Sequence, residues 1–308
     1  MGGARRLREL LAGPGAVIVP GAANALTARI IQEAGFECVF FTGAGFANMS
    51  FAVPDLGLIT LTEIVQEVGR ISEAVEIPLI ADGDTGHGGV FNVRRTVRQL
   101  EGAGAAAVTL EDQVFPKRCG HFENKEVIPV EEMLAKIRTA LDARRNPDTV
   151  IIARTDAGAV SGIDRAIERA QLYAEAGADV TFVEAPTTVD ELELIPKRIS
   201  VPQLVNVVVG GRTPALPAKQ LESMGFKIIL YANYALQAAI KGMQTALSVL
   251  ARDGDSESVA DQLATFQERQ RLVRLPEYLA AGRSASSGSA ARPESDLSLV
   301  EGQGTAKK

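Results

Sequence analysis

"VIIARTDAGAVSGIDRAIERAQLYAEAGADVTFVEAP" runs from Val150 to Pro186 and contains one full repeat of the chain's plan. A short Val/Ile-rich run leads into a polar knot, "RTD". A helix-length amphipathic segment follows, ends at Gly177 and gives way to a second apolar run, "VTFV". Glycine directly after a helical segment is a common helix stop, because it adopts the left-handed conformation without a Cβ clash. A strand, a helix and a second strand in this order imply parallel pairing through a right-handed crossover.

The same unit recurs on both sides. Candidate strands are Ala16–Pro20, Cys38–Thr42, Pro78–Ala81, Ala106–Leu110, Val150–Ala153, Val180–Val183, Gln203–Val207 and Lys227–Ala232, each with helical sequence after it. "EAGF", "GAGAAA" and "SMGF" close helices as "EAGADV" does. Eight such units in about 250 residues have the count and size of an α/β (β/α)8 TIM barrel. A doubly wound sheet remains the alternative, since strand order is not written in a single sequence. After Asp253 the pattern changes to one or two further helices, and 283–308 is rich in Ser, Gly and Ala with little to bury. The expected organisation is one barrel domain with a helical extension over 1–282 and a disordered tail over 283–308.

Composition excludes several classes. The chain has 308 residues, 46% of them hydrophobic, and a net charge of −6. That acidic balance argues against nucleic acid as a partner. The apolar stretch Cys38–Pro54 is too short and too broken by Gly, Asn and Ser to span a membrane. The N-terminal residues have cations without an apolar core, unlike a secretory signal. Two cysteines do not make a disulfide framework, and Cys38 reads as an apolar strand residue. A soluble cytoplasmic protein is expected.

Polar residues collect just after the strands. Asp82 and Asp84 follow the third, Glu111 and Asp112 the fourth, Arg154 and Asp156 the fifth and Glu184 the sixth, while Asn206 falls at the end of the seventh. In a (β/α)8 barrel these positions converge on the C-terminal mouth, where active sites of the fold lie. Asp82 and Asp84 share a face if the chain stays extended there. Oxygen ligands without Cys or His at metal spacing suit Mg²⁺ or Mn²⁺ rather than zinc, and Asp82, Asp84 and Glu111 can supply them. A single Asp after a strand is more often a helix cap; three together favour a metal. Gly43-x-Gly45 lacks the third glycine of a dinucleotide loop, and no strand ends in the lysine of a Schiff-base aldolase. His87 reads as a loop residue near the metal.

"EDQVFPKRCGH" (Glu111–His121) holds one of the two cysteines and one of the two histidines beside Lys117 and Arg118. Neighbouring cations favour the thiolate, so Cys119 is a candidate nucleophile or proton carrier near neutral pH. The bland alternative is an inert thiol on a basic loop. The glycine-containing loop beside a metal site favours catalysis and suggests closure over an anionic substrate.

"KRCGH", with "EDQ", "ADGDTG", "ARTDA" and "FVEAP", resembles the isocitrate lyase/phosphoenolpyruvate mutase superfamily over roughly Pro20 to Arg274. Within it the chain is most similar to the short 2-methylisocitrate and 2,3-dimethylmalate lyases and the petal death protein group. The resemblance implies a (β/α)8 barrel whose C-terminal helix swaps between subunits of a homotetramer, a dimer of dimers. It implies Mg²⁺-dependent cleavage of the C2–C3 bond of a 2-hydroxy di- or tricarboxylate, giving a 2-oxo acid and a second carboxylic acid. By match, Asp84 ligates the metal directly, with Asp55, Asp82 and Glu111 acting largely through water. Thr42, Gly43 and Ala44 match the cradle for the 2-oxo acid carboxylate. Gly120, Arg154, Glu184 and Asn206 match substrate-binding positions, and Cys119 matches the residue that protonates the departing carbanion. Lys117, Arg118, Arg154 and His121 complete the catalytic set. "LYANYA" (Leu230–Ala235) is closer to the mutases and phosphonate-handling members. The alternative activity is therefore a carboxyphosphonoenolpyruvate or phosphoenolpyruvate phosphonomutase, or an oxaloacetate decarboxylase. Members that hydrolyse oxaloacetate have a serine near Ala232, which counts against that outcome. His87 stands where relatives have Gly, Tyr or Phe.

Overall fold

The computed structural model describes residues 2–118, 120, 125–255 and 257–287. Eight parallel strands close into a barrel in sequence order: β1 (Val17–Ala22), β2 (Val39–Phe41), β3 (Leu79–Asp82), β4 (Ala107–Glu111), β5 (Val150–Thr155), β6 (Val180–Val183), β7 (Gln203–Asn206) and β8 (Ile228–Tyr231). Closure comes from β1 pairing with β8, Val17 beside Ile228 through Pro20 beside Tyr231. All eight candidate strands are present, and the doubly wound alternative is excluded. The chain forms two compact units, Met1–Gln262, which contains the barrel, and Leu263–Lys308. The second unit contributes the helices Phe266–Leu272 and Leu275–Ser287, and 288–308 lie outside the described residues.

Strand side chains alternate between two apolar environments. Val19, Phe40, Ile80, Ala107, Val150, Ile152, Val180, Phe182, Leu204, Ile228 and Leu230 fill the barrel interior. Their neighbours Phe41, Leu79, Val108 and Ile151 pack outward against helices such as Leu61–Ala74 and Val130–Ala143. The helices begin where side chains satisfy their free amides: Thr60 with Glu63, and Thr188 with Glu191, each form a capping box. Four other helices stop at the expected glycines, Gly35, Gly104, Gly177 and Gly225, all at positive φ. Gly104 and Gly177 stand at φ of +100° and +102°, and a Cβ on Gly104 would overlap the Ser72 side chain.

The short helix Gly3–Ala12 has no counterpart in the sequence reading. Its Ala4 and Leu7 join the interior cluster at the N-terminal end of the barrel, with Leu7 only 1% exposed. Arg8 fastens it there, donating to the carbonyl of Asp148 at 2.8 Å and to Asp179 Oδ1 at 3.0 Å. The opposite end of the barrel is left to polar residues. Cys38 lies fully buried in the interior cluster, and burial pushes its thiol up to about 12, so it acts as an apolar residue. Among the described residues no helix is long and apolar enough to cross a membrane.

Candidate active site

The period of two that fills the barrel also builds the site. Two residues beyond the inward Phe40 comes Thr42, and beyond Ile80 comes Asp82. Ile152 leads to Arg154, Phe182 to Glu184, Leu204 to Asn206 and Leu230 to Ala232. Each of these, together with Glu111, lines one cavity at the C-terminal mouth, joined by Ala44, Asp55, Lys117, Arg118 and Gly120. The expected convergence of consecutive strands is thus observed. Cys119 and His121 lie outside the described residues.

Asp84 arrives by a different route from the one expected. β3 ends at Asp82, and Asp84 turns away at φ +48°, a left-handed conformation that Asp tolerates better than most residues. The pair is therefore joined by a turn and not by strand alternation. Asp82 braces that turn: its Oδ1 accepts from the Asp84 amide at 3.1 Å and its Oδ2 from the Gly43 amide at 3.3 Å. Burial, then the nearby Asp84, raise the Asp82 carboxyl above its ordinary range. Gly43 opens the helix Gly43–Phe51, whose N-cap Thr42 accepts from the Gly45 amide. Thr42, Gly43 and Ala44, the residues expected to cradle a carboxylate, thus form a helix N-terminus, with amides that lack helical partners. The Thr42 hydroxyl donates to Asn233 Oδ1 at 3.3 Å, which brings in a residue from the loop after β8 that the sequence reading did not assign.

Two cations organise the acids. Lys117 Nζ lies 2.5 Å from Asp55 Oδ1 and 2.8 Å from Asp84 Oδ1, the latter without the alignment of a hydrogen bond. Burial pulls the Lys117 pKa down, but Asp84, Glu111, Asp55 and Asp82 together hold it well above the usual lysine value. Arg154 donates from Nε and Nη2 to both oxygens of Asp156 at 2.9 and 3.0 Å, lies 3.4 Å from Glu111 and from Glu184, and stacks over Phe182 at 5.2 Å. Burial raises the Glu111 carboxyl well above its ordinary value, against the pull of Arg154. Asp156 behaves oppositely: burial alone would raise it, but Arg154 and Lys125 hold it at about 2. Asp112 plays no part in the cavity. It accepts from the hydroxyls of Thr155 and Tyr173, both at 2.7 Å, and from Arg169 Nε at 2.9 Å, a buried structural knot between β4, β5 and the helix Ile163–Glu175.

The donor set suits a hard divalent cation. Among the described residues no three His, Cys, Asp or Glu are gathered tightly enough to grip a bare ion. Five carboxylates (Asp55, Asp82, Asp84, Glu111 and Glu184) nevertheless face two buried cations, Lys117 and Arg154. Glu111 Oε1 and Asn206 Oδ1 are buried without hydrogen-bond partners. An excess of negative charge with unsatisfied oxygens fits Mg²⁺, which uses one or two carboxylates and keeps several waters.

The sequence profile of the phosphoenolpyruvate phosphomutase family matches residues 7–251. The chain belongs to the isocitrate lyase/phosphoenolpyruvate mutase superfamily. It is 44% identical over 275 residues to 2,3-dimethylmalate lyase of Eubacterium barkeri, covering 89% of this chain and 95% of that one. To 2-methylisocitrate lyase of Aeropyrum pernix it is 42% identical over 272 residues, covering 88% and 87%. The structure of an oxaloacetate acetylhydrolase bound to 3,3-difluorooxalacetate superposes with a TM-score of 0.88 at 31% identity, covering 92% of this chain and 97% of that one.

Sequence reading missed Gln113, Asn233 and Lys125, and gave Asp156 no role beyond its place after β5. Gln113 grips the backbone of Arg118 from both sides, accepting from its amide at 2.9 Å and donating to its carbonyl at 2.8 Å. A polar residue inside "EDQ" was visible, but its partner five positions on was not.

Proposed function

We propose that the protein is a Mg²⁺-dependent carbon–carbon lyase that cleaves the C2–C3 bond of a 2-hydroxy di- or tricarboxylate, of the 2,3-dialkylmalate or 2-methylisocitrate kind. The products are a 2-oxo acid and a second carboxylic acid. One observation carries the reading: an oxygen-rich, negatively charged donor set, two buried cations and a helix N-terminus all face one barrel mouth. The lyase names of the relatives support it.

Asp84 would hold Mg²⁺, or Mn²⁺ in its place, with Asp55, Asp82 and Glu111 acting through water. Bound there, the ion supplies Lewis-acid polarisation of the C2 oxygen. The remaining work falls to the chain. Behind Thr42 the amide of Ala44, joined by that of Gly43 where it turns from Asp82 Oδ2, receives the carboxylate of the 2-oxo acid fragment, where the helix terminus favours an anion. Arg154, fixed by Asp156, binds the substrate with Glu184, Asn206 and Gly120. Lys117, Arg118 and Arg154 offset the charge that gathers on the departing fragment. Cys119, with His121 on the same loop, donates the proton that C3 acquires as the C2–C3 electron pair passes to it, and the proton given up by the C2 hydroxyl returns through solvent to the thiolate.

A phosphonomutase or decarboxylase is the second reading, favoured by the mutase-like segment whose Asn233 meets Thr42. Against oxaloacetate hydrolysis, the cavity residues near β8 are Leu230, Ala232 and Asn233, with no serine lining the cavity among the described residues. The test is a panel of 2,3-dimethylmalate, 2-methylisocitrate, oxaloacetate and phosphonopyruvate, assayed for products with Mg²⁺. Release of 2-oxo acid from the first two, abolished by EDTA and restored by Mg²⁺, is expected. Turnover confined to oxaloacetate or the phosphonate would overturn the lyase assignment.

A further inference from the structure

The segment between β4 and the helix Val130–Ala143 closes at its neck without help from side chains. The Val114 amide donates to the Glu126 carbonyl, the Ile128 amide to the Asp112 carbonyl, and Gln113 pairs with Val127 in an isolated antiparallel bridge. Lys125 stands in this neck, yet its side chain turns inward and is 0% exposed. Its Nζ donates to Asp156 Oδ1 at 2.6 Å and to the carbonyl of Gly120 at 2.5 Å. The same Asp156 Oδ1 also accepts from Arg154 Nη2. One carboxylate is therefore shared between a loop ammonium and the arginine that faces the cavity.

Desolvating an ammonium costs several kcal/mol, so lysine is almost never fully buried unless paired. A neck already held by its backbone does not require such a group. What the ammonium adds is reach, because it holds a carbonyl that lies five residues back along the loop and over the cavity. Gly120 is packed there so closely that a Cβ would collide with Arg154 Nη2 and with the side-chain carbons of Glu184.

We propose that Lys125 is a positioning residue of the active site: held by Asp156, it pins the Gly120 carbonyl and so sets the loop backbone against Arg154 and Glu184. The effect on turnover rests on the lyase reading; the pinning itself does not. Lys125 touches no substrate and acts through Gly120 and Asp156. In its absence Asp156 still grips Arg154 through Nε and Nη2, so the arginine stays in place while the loop loses its register. Misplacement by about an ångström is enough to cost roughly 10²-fold in rate.

The test compares wild type with Lys125→Met, an uncharged side chain of similar length, using three readouts. Steady-state kinetics on the cleaved panel substrate should show kcat falling about 10²-fold, while calorimetric binding of oxalate with Mg²⁺ weakens by less than about threefold because Arg154 is retained. Amide exchange should rise about tenfold or more in the peptide 113–128 and stay unchanged in 129–143. Should Lys125→Met be insoluble, Lys125→Gln takes its place under the same criteria. A variant with a lowered thermal transition, exchange raised throughout β5 and kcat near wild type would make the pair purely structural and overturn the proposal. So would unchanged exchange in 113–128. If wild type cleaves none of the panel, the lyase reading fails, but the exchange experiment still decides whether Lys125 pins the loop.

Discussion

Thr42, Asp82, Glu111, Arg154, Glu184 and Asn206 reach the cavity because a strand points alternate side chains inward, and each sits at the last inward position of its strand or one step beyond. That much was legible in the sequence, since short Val/Ile-rich runs show both the strand and its phase. Lys125 and Asn233 were not legible. A lysine in a polar loop looks like any solvated cation until the fold brings Asp156, 31 residues away, against it. Asp84 was found for a partly wrong reason, because a turn at positive φ cannot be told from an extended strand by spacing alone. The residue on which the chemistry is proposed to turn is Cys119. If it donates the proton to C3, Cys119→Ser should keep Mg²⁺ and 2-oxo acid binding while losing about 10²–10⁴-fold or more in kcat, the usual worth of general acid catalysis. Retention of more than about a tenth of wild-type kcat would reduce the thiol to a packing role.

The barrel strands and their helices were readable element by element, down to the glycine stops. The helix Gly3–Ala12 was missed although Ala4, Leu7 and Leu11 recur at helical spacing in "GARRLRELLA"; what the sequence does not show is where Leu7 is inserted. It caps the N-terminal end of the barrel, the end that serves stability in this fold while the other serves catalysis. Leu7→Ala removes buried methyl groups from a site 1% exposed and should cost about 2–5 kcal/mol in urea unfolding. Because the cavity lies at the opposite mouth, kcat and KM should stay at wild-type values. A large loss of kcat in the folded variant would show that the two ends are coupled. The neck of the loop after β4 illustrates the opposite limit: no periodicity marks it, since backbone pairing of Gln113 with Val127 closes it and the side chains of Lys117 and Lys125 reach Asp55 and Asp156, which are distant in sequence.

In the whole molecule, an excess of buried carboxylates is held in one place by the closed barrel, and a divalent cation is the natural complement to it. A second feature concerns assembly. The helix Tyr234–Asp253 follows β8 but buries only Leu236, leaving Ile240, Met243, Leu247 and Leu250 exposed at helical spacing. Such a stripe normally finds a partner. With the subunit-swapped helix that the resemblance implies, a homotetramer is expected by light scattering at micromolar concentration, unchanged on removal of 288–308; a monomer would refute it. Cleavage between C2 and C3 with protonation of C3 leaves a distinct isotopic record in D₂O. Wild-type protein with Mg²⁺ and 2,3-dimethylmalate should yield equal amounts of pyruvate and propionate, followed by NMR, with one deuteron at C2 of the propionate and no products in EDTA. Full turnover in EDTA, or consumption of the substrate without equimolar pyruvate and singly deuterated propionate, would contradict it.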